Sequence, residues 1–150
     1  MRMWVLPLTG LVLAAACSSD SMNSSQAPAD IGGHWSNLTV DLTNQAAGLT
    51  CQAVGTIDIV QSGSAFTGNT ASIVTCTATG VGTLPNFPLA GSIANGFVSG
   101  NTVTFPDDDG CTFQGTVSGM PANAGQGTAD CDLTVNAAPY HMTGTWQASR

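Results

Sequence analysis

The side chains here that could do chemistry are few: two histidines, nine acids and five cysteines in 150 residues. Every acid is an aspartate, and the chain has no lysine. A Ser-x-x-Lys nucleophile therefore cannot occur. His34 and His141 take outward positions on the strands expected to hold them, at different heights. They should be solvated and apart. Asp58, Asp130 and Asp132 point outward by the same alternation. Catalysis needs a nucleophile, a base and an orienting group within reach of one another, and this pattern assembles none. The chain reads as a non-enzyme, with no catalytic residues and no cofactor. Asp107-Asp108-Asp109-Gly110 is its one acidic cluster. Calcium takes several oxygens from such turns. Consecutive aspartates cannot all face one ion, however, and Asp-Gly is what a tight turn wants. Asp107, Asp108 and Asp109 are the only metal candidates, and a plain turn is the expected reading.

Cysteine is the other reactive group. Cys17 ends the run Leu13-Ala14-Ala15-Ala16. The remaining four, Cys51, Cys76, Cys111 and Cys131, are even in number. In an exported chain they read as two disulfides, with three connectivities open. The spacings are long, no Cys-x-x-Cys exists, and neither histidine lies near a cysteine in sequence. Those facts disfavour a metal site.

The N-terminus supplies the compartment. Arg2 gives a minimal positive start, Trp4 to Leu13 is apolar, and small residues follow. That is a secretory signal over residues 1–16, too short for a transmembrane helix. The small residues running into Cys17 resemble the lipobox of bacterial lipoproteins. The resemblance implies cleavage before Cys17, acylation of Cys17 and attachment to the cell envelope. With no Asp at position 18, it implies the outer membrane. Palmitate-like chains on Cys17 would make the membrane a partner. Residues 17–30 then form a lipidated, Ser-, Asn- and Pro-containing tether that has little to bury.

Residues 31–150 make a single domain. Its only cation is Arg150, so it cannot neutralise phosphates, and nucleic acid is excluded as a partner. Short runs rich in Val, Ile, Thr and Phe recur between turn signals. Strands are expected near 33–42, 50–61, 65–76, 88–94, 97–105, 111–119, 126–135 and 140–149. Asn95-Gly96 reads as a hairpin turn, because both residues tolerate the positive φ that such turns need. A turn at Ser62-Gly63 sets residues equidistant from it opposite one another, which brings Cys51 level with Cys76. A turn near Pro121-Ala122 does the same for Cys111 and Cys131. These are the expected bridges, each spanning one hairpin. The cysteines also mark the inner face. Phe113, Gly115 and Val117 share it with Cys111, while Thr112, Gln114 and Thr116 face out.

Eight antiparallel strands with short connections close into an up-and-down β-barrel; a flattened β-sandwich of the same strands is the alternative. Gly33-His34-Trp35 resembles the first strand of lipocalin- and avidin-like barrels, which implies a small closed barrel. Biotin binding is not carried over, because the dense Trp and Ser/Tyr pattern of biotin binders is missing. Large inward residues are expected at both ends: Trp35, Phe66, Phe97 and Trp146 at one, Phe105, Phe113 and Tyr140 at the other. Small or polar ones, among them Gly55, Ser72, Asn101, Gly115 and Gly144, ring the middle. Either the walls touch there, or Trp35, Gly55, Ser72, Asn101, Gly115 and Trp146 line a cavity for a small apolar ligand. The functional classes are then three. One is a lipid-anchored binding module for that ligand or for an envelope protein. Another is a hydrolase-inhibitor-like lipoprotein using loop 85–88 or 120–125. The last is a structural envelope lipoprotein without a specific ligand.

Overall fold

The computed structural model describes residues 26–135 and 137–150. The expected signal peptide and Cys17 lie outside the described residues. Nine strands follow one another: β1 (Gly33–Asn44), β2 (Leu49–Ser62), β3 (Ala65–Ala78), β4 (Gly82–Thr83), β5 (Phe87–Ser99), β6 (Thr102–Pro106), β7 (Cys111–Gly119), β8 (Ala122–Val135) and β9 (Ala138–Ser149). The hydrogen-bonded order is β2-β1-β9-β8-β7-β6-β5-β3-β4, and β2 also pairs with β3. That last pairing closes eight strands into an antiparallel barrel, with β4 a two-residue addition on β3. The sandwich alternative falls, because the sheet has no second layer.

Alternation fixes the two faces. Along β8 and β9, Ala129, Cys131, Leu133, Val135, Met142 and Trp146 are buried, while Thr128, Asp130, Asp132, His141 and Thr145 between them are exposed. A one-residue slip would exchange these sets, so the pattern pins the register. We call the end that holds Gly33, the Ser62–Ala65 turn and the Ser99–Thr102 turn the lower end. The upper end holds the Asn44–Leu49 and Asp107–Gly110 turns.

Both disulfides are formed as the hairpin geometry requires. Cys51 faces Cys76 across β2 and β3, and Cys111 faces Cys131 across β7 and β8, each with Cα atoms 4.0 Å apart. All four cysteines are buried near the upper end.

The Asn95-Gly96 hairpin is not there. Strand β5 runs straight through these residues to Ser99, and the chain turns at Gly100-Asn101 instead. Two packing facts override the local turn signal. Gly96 lies under the Phe66 ring, with no room for a Cβ. Gly100 takes φ 54°, which supplies the positive φ a two-residue turn needs. The register also shifts between Phe66 and Gly68 opposite this stretch. The shift turns Phe97 outward, where it is 54 % exposed, against the inward position expected for it.

The seam between β5 and β6 is the shortest in the barrel. It pairs only Phe97–Ser99 with Thr102–Thr104. Above it the acidic turn stands in for a strand: Asp108 N–H donates to the Ser92 carbonyl at 3.1 Å, and Ser92 N–H donates back to Asp108 Oδ1.

Candidate functional site

The interior was the natural place for a ligand, and aromatic rings fill it. Phe105 packs edge-on to Phe66 at 5.7 Å and to Trp146 at 5.9 Å between ring centroids, and stacks on Phe113 at 4.8 Å. These four rings come from β3, β6, β7 and β9, so they span the barrel. Phe105 therefore belongs to the middle, not to the upper end where the strand pattern alone places it. Trp146 donates its indole N–H to the Gln114 carbonyl at 3.1 Å. A Cβ on Gly115 would meet the Trp146 indole at 2.7 Å, and one on Gly125 would meet it at 3.0 Å. The mid-height glycine at 115 is thus closed in by the Gln126 carbonyl of β8 and the Trp146 indole, and does not border a void.

The six proposed cavity residues separate accordingly. Trp35 and Trp146 are core. Gly115 lies beneath Trp146. Gly55 is pressed against the Ala71 carbonyl of β3. Ser72 hydrogen-bonds to the Leu89 carbonyl at 3.4 Å. Asn101 is in the β5–β6 turn and exposed, its carbonyl accepting from Val117 N–H at 2.8 Å. Among the described residues, one interior space of about 20 Å³ lies beside Trp35 and Trp146 and another of about 30 Å³ beneath the acidic turn. Each is the size of one or two water molecules. Of the two alternatives, touching walls and a ligand cavity, this packing fits the filled barrel, and strand alternation does not reveal which rings reach across.

The lower end is sealed by a cap that sequence reading missed. Trp35 donates its indole N–H to the Ile31 carbonyl at 2.9 Å. The Arg150 guanidinium lies 4.7 Å from the Trp35 ring centre and donates to the Gly32 carbonyl at 2.7 Å. A cation over an indole face is attracted by the ring quadrupole. Upstream, Ala29 N–H donates to the Gly100 carbonyl at 2.8 Å, and Ala122 N–H donates to the Asp30 carbonyl at 2.9 Å. The end of the expected tether is therefore docked on the barrel.

The acidic turn holds the unusual electrostatics. Its carboxylates diverge. Asp107 Oδ1 accepts from Cys111 N–H at 2.9 Å, Asp108 turns to Ser92, and Asp109 lies over Gly91. Among the described residues no three acidic, histidine or cysteine side chains converge as a metal site. Asp109 Oδ2 is buried without a hydrogen-bond partner. Burial, and then the neighbouring Asp108 charge, raise the Asp109 pKa. Asp107 is pushed up to about 6, chiefly by burial; the Cys111 N–H bond opposes this, and the Asp109 charge adds to it.

The sign of the pH effect follows. An acid that titrates higher in the folded chain than in the unfolded one stabilises the fold below its unfolded pKa. That contribution is lost as pH rises through the folded value. For Asp107 the window runs from about 4 to about 6. Asp107→Asn keeps the acceptor for Cys111 N–H and removes the charge. It should raise stability at pH 7 by about 1 kcal/mol, a shift discounted for the solvent that still reaches this half-buried group. At pH 4 it should change little. Thermal melts at both pH values check this, and equal effects at the two would contradict it.

The histidines stay outside, as alternation demands. His34 Nδ1 lies 2.8 Å from Asp58 Oδ1 near the lower end, and His141 Nδ1 lies 3.0 Å from Asp132 Oδ1 near the upper. Both pairs are exposed, and the two histidines do not meet. No protein-family model, curated protein or solved structure matches the chain.

Proposed function

We propose that this is an exported protein held on the bacterial cell envelope, on the outer membrane, by acyl chains on Cys17. It acts without catalysis, by presenting the outer wall of a filled barrel to another envelope protein. One observation carries the anchor. The four barrel cysteines are bonded to one another, so Cys17 is the one cysteine left for lipid. A protein partner is favoured over a small ligand because the two interior spaces beside the aromatic rings are each of water size. The wall supports neither nucleic acid nor electrostatic adhesion to lipid, since Arg150 is the single cation among the described residues.

A single acyl chain holds a protein only marginally, whereas two or three hold it stably. Cys17→Ser should therefore release the protein from the membrane fraction as a folded, disulfide-bonded barrel. Fractionation with near-ultraviolet circular dichroism tests this, and a variant that stays with the membrane would refute the anchor.

A further inference from the structure

We infer that the lower rim of the barrel is a membrane-contacting surface that rests on the bilayer interface through Val60, Phe97 and Met120; this rests on the lipid-anchor reading. These side chains are 72 %, 54 % and 101 % exposed, and they belong to three different hairpins around the same end. Phe97 faces Ala65 across the β3–β5 ladder, which continues the apolar rim toward Val60. Single exposed apolar residues are ordinary, but here Val60 and Phe97 line one groove with Ala65, and Met120 stands on the β7–β8 turn at the same end. Elsewhere among the described residues the exposed large apolar side chains are Val54 and Ile73, paired with each other at the waist, and Val81 at the upper end.

Chain geometry says what covers this rim. The segment leading to Cys17 departs from the lower end. There Ala29 is held by Gly100 and by the Gln61 side chain, which donates to the Ala29 carbonyl at 2.9 Å. Cys17 lies nine chain steps before Gln26, and so few extend to about 30 Å at most. A strand of 14 residues such as β2, tilted as barrel strands are, makes the barrel about 35 Å tall. Acyl chains at Cys17 therefore keep the lower end within about 30 Å of the bilayer and the upper end from meeting it end-on.

Charge agrees. Asp107, Asp108, Asp109, Asp130 and Asp132 all lie in the upper half. The lower end carries Arg150, Asp30, and Asp58 paired with His34. An anionic leaflet repels the upper end far more than the lower.

The test uses the full chain, as purified from the envelope of bacteria that export it, on vesicles of phosphatidylethanolamine and phosphatidylglycerol doped with a brominated phosphatidylcholine. Phe97→Trp reports from the rim and Val81→Trp from the opposite end. After subtraction of the wild-type signal, the rim tryptophan should be blue-shifted and quenched at least about twofold more than the upper one, as a side chain at headgroup depth would be. Met120→Trp repeats the test if Phe97→Trp does not fold. If the protein floats with the vesicles but both ends are quenched alike, the rim inference is overturned and the anchor stands. If the wild-type chain does not float, the anchor fails, and the rim contact falls with it.

Discussion

Reducing both disulfides should unfold this protein near physiological temperature. Cys51–Cys76 and Cys111–Cys131 close loops with sequence separations of 25 and 20 residues. In the chain-entropy account each such loop contributes about 3 kcal/mol by restricting the unfolded chain. Two together contribute about 6 kcal/mol, comparable with the whole stability of a typical small domain. The bridges join neighbouring strands that already pair along their length, so reduction leaves the folded ladder unchanged and acts on the unfolded state. The expected result is a fall in melting temperature of about 15 to 30 °C on reduction. Replacing one pair by alanine should give about half of it. Calorimetry with and without reductant measures both, and a shift of only a few degrees would remove the bridges as the main source of stability.

Trp146→Ala should do two things at once. It should lower stability by about 3–5 kcal/mol, the range for deleting a large buried aromatic. The indole touches Phe105 and rests over Gly115 and Gly125. The variant should also bind benzene or xenon, which the wild type should not. The vacated space would be on the order of 150 Å³ and apolar, the kind that stays dry and accepts such guests. Denaturant unfolding and a xenon-pressurised crystal separate the two effects. Equal guest binding by the wild type would mean that the interior is not filled as described.

The parts that were legible in the sequence share a physical origin. Alternation with a period of two placed Cys111, Phe113, Val117, Leu133 and Met142 inside because one wrong step would expose all of them together. Hairpin symmetry paired the cysteines, since distance from a turn sets cross-strand register. Asn95-Gly96 failed because turn chemistry is a local preference, and the Phe66 ring over Gly96 is a tertiary fact. The same limit hid the filled interior. Gly115 and Gly144 looked like matching gaps. A Cβ at either would run into a carbonyl of the adjacent strand, Gln126 for Gly115 and Asp41 for Gly144, and Gly115 lies beneath the Trp146 indole as well. The acidic cluster forms a turn between β6 and β7. Its role as a substitute strand beside Ser92 depended on β6 ending at Pro106, which no local pattern announces.

The pairing of β1 with β9 has a consequence for how the molecule comes into being. Val40 lies against Trp146, so the first strand waits for the last before it has a neighbour on that side. Contacts this distant in sequence slow folding, because the entropy of closing the chain is lost before the ladder repays it. A polypeptide that emerges amino-terminus first, from a ribosome or a translocation channel, would hold the bare edge of β1 open until β9 arrives. During that interval the bonded ladder of β2 and β3 can already be complete, Cys51 joined to Cys76. The nascent chain would be guarded on one flank and sticky on the other.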